Sequence, residues 1–208
     1  MKALILCIFS LLSSFCFSQQ KEEFRQVKNY YNQHRSMLNT EFKKKFDAEP
    51  NLVKKAAVKN DFLFFMKKMD SIENVAMIGA LLKVRNLEDL QFIKKNENNP
   101  ALLPVNTSIL EKPAEYPGGM EMLKKEVAGL FYTGGVYTET KTVKANVIFM
   151  IEKDGSISNV QAEGDNFTFN RQAEIAIYSI PDKFSPAIAK GNMVRSRFRL
   201  PLTLTLQD

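Results

Sequence analysis

The chain has little cysteine and histidine and no tryptophan, and the first two shortages exclude several kinds of site. Its two cysteines, Cys7 and Cys16, lie close to the N-terminus, and His34 is the single histidine. A cysteine–histidine catalytic pair or a zinc–thiolate site therefore has few residues to draw on. His34 falls on an apolar helical stripe, where packing is the expected role of a histidine.

Long apolar runs are also absent, except at the N-terminus. Residues 3–17 are almost entirely apolar, Lys2 precedes them, and small side chains at Cys16 and Ser18 suit a cleavage site. The pattern predicts a secretory signal peptide over residues 1–18, because the run is short for a membrane span. Two alternatives stay open: an uncleaved anchor, and a lipoprotein modified at Cys16, which the bulky side chain before it disfavours. We expect an exported protein, periplasmic or associated with the outer membrane, whose mature chain has no membrane span.

Glycine and charge are unevenly distributed along the chain. Gly79 is the only glycine before residue 111. Residues 19–110 carry 16 Lys/Arg against 11 Asp/Glu, whereas residues 111–208 carry 12 of each. Such a difference indicates two kinds of structure. We predict a helical region over residues 19–98, a short linker over residues 99–110 that lets the two parts pack together, and a second domain over residues 111–208.

Apolar residues recur at steps of three and four along the first half, as in an amphipathic helix. Glu49-Pro50-Asn51 interrupts this pattern, and apolar residues resume after it. Asp70-Ser71 could cap a third helix, although the second and third helices could equally be continuous. The pattern predicts a helical hairpin or a small bundle. The first apolar stripe comprises Phe24, Val27, Tyr31, His34, Leu38, Phe42 and Phe46.

The second half has a mixed pattern. Short helices are predicted over residues 120–131 and 169–180. Between them, apolar and polar residues alternate over residues 143–151, Asp154-Gly155 favours a hairpin turn, and residues 156–162 return as a second strand. With a final strand near the C-terminus, these elements predict an α+β fold preceded by an all-helical region.

The final strand is amphipathic, with an apolar residue at every second position and arginine or threonine between them. Pro201 lies within it, and proline is confined to edge strands, strand ends or bulges because it has no amide hydrogen. An edge strand can pair with an extended peptide, although its charges could instead serve only to prevent aggregation. The predicted peptide-binding edge strand comprises Met193, Arg195, Arg197, Arg199, Thr203 and Thr205.

Five short segments follow one another in the second half in an order that is informative only when they are taken together. They are Tyr116-Pro117-Gly118-Gly119, residues 152–157, Phe184-Ser185-Pro186-Ala187, Gly191 with Val194, and Phe198-Arg199-Leu200-Pro201. Together these segments resemble the C-terminal domain of the TonB family, over about residues 111–207. The resemblance implies a two-layer domain in which a three-stranded antiparallel sheet packs on two helices. It also implies that the last strand pairs with a short peptide of an outer-membrane transporter.

Enzymatic activity has little support in the sequence. Carboxylates cluster at Asp154, Glu163 and Asp165, but turn chemistry explains the first and a solvated loop explains the others. Neither Gly-Gly pair is followed by the Gly-Lys-Ser/Thr of a phosphate-binding loop. Lys43-Lys44-Lys45 is typical of a solvated helical face, and export argues against a nucleic-acid partner. We expect no catalysis, no cofactor and no metal.

These observations favour an exported, non-catalytic protein-binding module. Its expected partner is an extended peptide of an outer-membrane transporter or another envelope protein, bound by strand addition, and the process served is transmembrane transport. The alternative is a structural module that assembles or dimerises within an envelope complex through paired edge strands.

Overall fold

A computed structural model describes residues 19–96 and 110–205 of the chain. The predicted signal peptide and nearly all of the predicted linker lie outside these residues. The predicted α+β fold, with helices preceding a three-stranded antiparallel sheet, is confirmed. The elements are α1 Gln19–Ala48, α2 Leu52–Asn96, α3 Gly119–Leu130, a 3-10 turn Thr133–Gly135, β1 Thr142–Ile151, β2 Ile157–Glu163, α4 Phe167–Tyr178, β3 Ala187–Ala189, β4 Asn192–Val194 and β5 Ser196–Thr205.

The first half is a helical hairpin, and α2 is one continuous helix of 45 residues. Asn51 begins it: its side-chain oxygen accepts the backbone N–H groups of Val53 at 2.9 Å and Lys54 at 3.1 Å, as an N-cap residue does. The two helices are joined across the hairpin by stacked rings of Phe42 and Phe62, whose centroids lie 4.1 Å apart. The sequence left open whether one or two helices follow Pro50. The structure has one continuous helix there.

The three-stranded sheet has the order β2-β1-β5, so the longest strands, β1 and β5, lie side by side. Every residue of β1 has a partner in β5, from Thr142 opposite Thr205 to Ile151 opposite Ser196. On the other side of β1, the pairing with β2 shifts register between Ile148 and Met150, which marks a bulge. One face of the sheet packs against α4, and both outer strands of the sheet are edges.

The core of the sheet domain includes side chains of the helical region. Leu81 and Val84 of α2 are fully buried, and the ring of Phe24 in α1 stacks on that of Tyr178 in α4 at 5.4 Å. These residues belong to the same apolar cluster as Phe149 in the middle of the sheet. The two regions distinguished in the sequence are therefore packed into one core.

The single final strand predicted over the candidate site is divided in two. Met193 lies in β4, which forms a separate two-stranded sheet with β3, and Arg195 lies between β4 and β5. The turn before β4 has positive φ at both central residues, 50° at Lys190 and 70° at Gly191, as a tight hairpin requires. Strands of three residues are too short to show a period of two in the sequence, which is why the prediction was wrong here.

The predicted Asp154-Gly155 turn is confirmed, and it also contacts the segment at Phe184. Gly155 has φ +78°, donates its N–H to the Glu152 carbonyl at 3.0 Å, and accepts the N–H of Phe184 at 3.0 Å. A Cβ added at this glycine would lie 1.9 Å from the Phe184 carbonyl oxygen. Only glycine fits where the hairpin meets this segment.

We expect Gly155→Ala to lower the free energy of unfolding by clearly more than Gly191→Ala. Both glycines have positive φ, which costs a residue with a side chain about 1–2 kcal/mol, but a Cβ at Gly191 meets nothing within 4 Å. The difference between the two variants in denaturant unfolding measures the clash alone. Equal losses would contradict the close contact with Phe184.

We expect Leu81→Ala to lower the free energy of unfolding by about 2–5 kcal/mol, the usual cost of truncating a buried leucine. The matched control is Leu63→Ala in the same helix, where 54% of the side chain is exposed and the loss should be about 0.5 kcal/mol or less. Unfolding followed by helix and by sheet signals should give one coincident transition. Two separate transitions would contradict the shared core.

Candidate peptide-binding edge

The outer edge of β5 is available for pairing. β1 covers its inner edge along the whole strand, and no strand within residues 19–96 and 110–205 pairs with its outer edge. Pro201 lies inside the strand, opposite Asn146. A proline is tolerated there because the missing N–H belongs to a position that faces away from the neighbouring strand.

The position of Pro201 indicates which other backbone groups point outward. Strand residues alternate in the direction of their N–H and C=O groups, so Arg199 and Thr203 share the direction of Pro201. Those two residues can offer N–H donors to an added strand, whereas Leu200 and Leu202 bond to β1. The free edge of β5 therefore offers N–H donors at Arg199 and Thr203, on either side of Pro201, which has none.

Four of the six predicted site residues lie together on the solvent face of β5. Arg197, Arg199, Thr203 and Thr205 are all exposed and alternate with residues of the buried face. Arg197 lies opposite Met150 and Arg199 opposite Ile148. Those two apolar residues of β1 are only 9% and 8% exposed although they face away from α4, and the arginine stems next to them can cover them while the charged ends stay in water.

The other two predicted residues are placed differently. The Arg195 side chain is 22% exposed, and its Nε lies 2.9 Å from Glu152 Oε1. Its Nη2 also donates to Ser158 Oγ at 3.5 Å. Arg195 therefore holds the end of β5 against the β1–β2 hairpin, and Met193 is exposed on β4. Neither belongs to the edge that an added strand would use.

The opposite edge of the sheet, on β2, is covered by side chains. The N–H of Val160 donates to the Tyr178 hydroxyl at 3.0 Å, and that of Ala162 donates to Glu174 Oε1 at 2.9 Å. The N–H of Asn159 donates to Glu88 Oε1 at 2.9 Å, and the Tyr178 hydroxyl donates to Glu88 Oε2 at 2.8 Å. Three backbone donors that could have met another strand are thus satisfied from α2 and α4.

Burial makes this covered edge electrostatically unusual. Glu174 is fully buried and Glu88 is 8% exposed. Burial raises the pKa of Glu88 above 4.5, outweighing the hydrogen bonds from Asn159 and Tyr178. It likewise raises the pKa of Glu174, against the Ala162 N–H and the charge of Arg85. Burial, with the nearby Glu88, also raises the pKa of the Tyr178 hydroxyl.

Sequence reasoning missed these three residues. Glu88 is 71 positions from Asn159, a separation that no local pattern can reveal. A signal existed for Glu174 and Tyr178, because they lie four residues apart within an otherwise apolar helical segment. Polar side chains on the buried face of a helix require a hydrogen-bond partner, and the backbone N–H groups at the edge of a strand can be that partner.

The other candidate groups do not form a second site. Glu163 and Asp165 are exposed, and the Nδ1 of His34 lies 2.8 Å from the Tyr30 carbonyl oxygen one helical turn away. Asp154 accepts from Lys183 at 2.8 Å and from Ser156. Burial alone would raise the pKa of Asp154, but these bonds outweigh it and lower the pKa.

A cavity of about 230 Å³ lies between α1, α2, the end of α3 and α4. Arg35 on its wall pairs with Asp70 at 2.6 Å and with Glu73. Gln172 donates to Asn74 at 2.6 Å. These polar groups satisfy one another, and none of the six predicted edge residues lines the cavity.

Comparison with protein-family models and with curated proteins found no match for this chain. The TonB resemblance and the two-layer arrangement that it implies stay predictions. Within the described part of the chain, no group of three or more metal-binding side chains could hold an ion. No helix in that part is both long and apolar enough to cross a membrane.

We expect Glu88→Gln to flatten the dependence of stability on pH. Because the folded-state pKa of Glu88 lies above 4.5, the folded protein binds more protons than the unfolded chain between pH 4.5 and that raised value. Stability is therefore lost as pH rises through this window. The Gln variant should lose less free energy of unfolding than the original protein over that range, measured by urea unfolding at several pH values.

The control is Glu163→Gln, the same substitution at an exposed position of β2, and the pH slope of Glu88→Gln is compared with that of this variant. Tyr178→Phe adds a separate test, because it leaves the Val160 N–H and a Glu88 oxygen without their partner. It should cost about 1–3 kcal/mol. Parallel pH curves for all variants would contradict a buried carboxylate at this edge.

Proposed function

We propose that this protein is an exported, non-catalytic binding module that captures an extended peptide by strand addition at the free edge of β5. The partner is an outer-membrane transporter or another envelope protein, and the process served is transmembrane transport. The resemblance of residues 111–207 to the TonB C-terminal domain supports the class of partner, and the leader-like residues 1–18 support export to the periplasm.

The observation that carries the proposal is the difference between the two edges of one sheet. The β2 edge has its backbone donors occupied by Glu88, Tyr178 and Glu174. The β5 edge has ten residues in register with β1 and nothing paired on its other side in the described ranges. An unpaired long edge favours aggregation unless something protects it or binds it. Pro201 and the arginines protect it against indiscriminate pairing while leaving donors on both sides of the proline.

The side chains beside this edge favour an acidic or polar peptide. Arg197 and Arg199 place two positive charges on the solvent face, and Thr203 and Thr205 add hydroxyl groups further along. In strand addition the backbone bonds provide affinity, and alternate side chains provide specificity. The arginine half and the threonine half should therefore contact different parts of a bound peptide.

We expect Thr203→Pro to weaken capture of the partner without unfolding the protein. The variant removes an outward N–H and no bond to β1, so a loss of roughly two- to tenfold in affinity follows from the hydrogen bond alone. Thr203→Val also removes the hydroxyl group but keeps the N–H and the branched shape, so it should bind clearly better than Thr203→Pro. Capture is measured with a photo-crosslinking residue placed at Thr205 in cells, followed by identification of the crosslinked envelope protein.

A photo-crosslinking residue at Gln161 on β2 is the matched control, because the outer edge of that strand is already covered. Equal crosslinking from both strands, or equal capture by the Pro and Val variants, would contradict strand addition at β5. The alternative function, assembly through paired edges, predicts crosslinks between two copies of this chain from Thr205.

A further inference from the structure

The long helix α2 carries an apolar stripe that faces away from the core, here called the outer stripe. From Phe65 to Leu82 its members follow the 3.5-residue repeat of helices that pack along their length, and Leu90 and Ile93 continue the same face. Each apolar side chain in it is between 53% and 66% exposed. The outer stripe comprises Phe65, Ile72, Val75, Gly79, Leu82, Leu90 and Ile93.

The length of the outer stripe indicates a partner that is itself extended. From Phe65 to Ile93 it runs about 42 Å at the helical rise of 1.5 Å per residue. This face is apolar except for Lys68 and Asn86, and an exposed apolar surface of such length usually marks an interaction site. Among the charged side chains of α2 that pair with other elements, Arg85, which pairs with Glu174, lies on the opposite side of the helix, and Lys83, which pairs with Glu23, borders the outer stripe.

The outer stripe is self-complementary when two copies run antiparallel. Gly79 lies at its centre, and a Cβ there would meet nothing within 4 Å, so another helix can approach closely. Phe65 and Ile93 are equally distant from Gly79 along the chain. A two-fold axis at Gly79 therefore places each of them against the other in the second copy.

The charges at the two ends favour the same orientation. Lys68 and Asp89 are exposed and lie on opposite sides of Gly79 at nearly equal distances along the helix. In an antiparallel pair, each Lys68 meets Asp89 of the second copy at both ends. In a parallel pair in register, Lys68 would meet Lys68 and Asp89 would meet Asp89, which is unfavourable.

We propose that two copies of this chain associate through the outer stripes of α2, antiparallel and with the two-fold axis at Gly79. A symmetric, closed pair is the commonest form of oligomer. The association leaves the free edge of β5 open, so each pair presents two peptide-binding edges on separate sheets. This dimer uses the helical hairpin and is distinct from assembly through paired edge strands.

The test is a charge exchange followed by sedimentation equilibrium of the purified protein at low salt. We expect a dimer for the original chain. Lys68→Glu alone and Asp89→Lys alone each create two like-charge contacts, so the dissociation constant should rise roughly three- to tenfold for either variant. The double variant restores opposite charges at both ends and should return close to the original value.

Three controls keep the outcome decisive. Circular dichroism checks that the variants, which change only exposed side chains, remain folded. Thr203→Pro should leave the dimer unchanged, because it acts on the β5 edge. Val75→Glu, in the middle of the outer stripe, should give monomers.

A monomeric original protein at every concentration would overturn the proposal, and so would a dimer that Val75→Glu leaves intact. Failure of the double variant to recover the affinity would overturn the antiparallel arrangement, because only that orientation brings Lys68 to Asp89.

Discussion

The structure depends on the way the β2 edge satisfies its backbone donors. A strand edge buried against helices must find acceptors, because an unpaired buried N–H costs as much as a lost hydrogen bond. Here Glu174 and Tyr178 come from α4, and Glu88 comes from α2. The acids stay buried because they accept these bonds, and burial raises the pKa of each. One set of interactions thus fixes two helices against one edge of the sheet.

This constraint explains why the helical region is part of the same body as the sheet. Glu88 reaches β2 only if α2 lies across α4, and the same placement buries Leu81 and Val84. It also makes the two edges of the sheet different: the β2 edge is covered by side chains of α2 and α4, and the β5 edge faces outward. The opposite face of the same part of α2 is exposed, and it carries the apolar side chains that we assign to association.

Local signals predicted the local structure well. Pro50 and the Asn51 cap separate the two helices, and Asp154-Gly155 turns the hairpin at a site that only glycine fits. Alternation along β5 predicted the exposed arginines. The sequence could not reveal the bond between Glu88 and Asn159, which is non-local, or the Lys190-Gly191 turn, because strands of three residues carry no recognisable period. The contacts of Arg195 with Glu152 and Ser158 could not be predicted either, because they depend on how the β1–β2 hairpin lies beside the start of β5.

The most direct test of this account is hydrogen exchange of individual backbone amides by NMR in the free protein. The amides of Val160 and Ala162 should exchange slowly, since they donate to buried groups of α4. Those of Arg199 and Thr203 should exchange fast, because they face outward on β5, and they should become protected when a partner peptide is added. Fast exchange at β2, or protection of the β5 amides before any peptide is present, would contradict the distinction between a covered edge and a free edge.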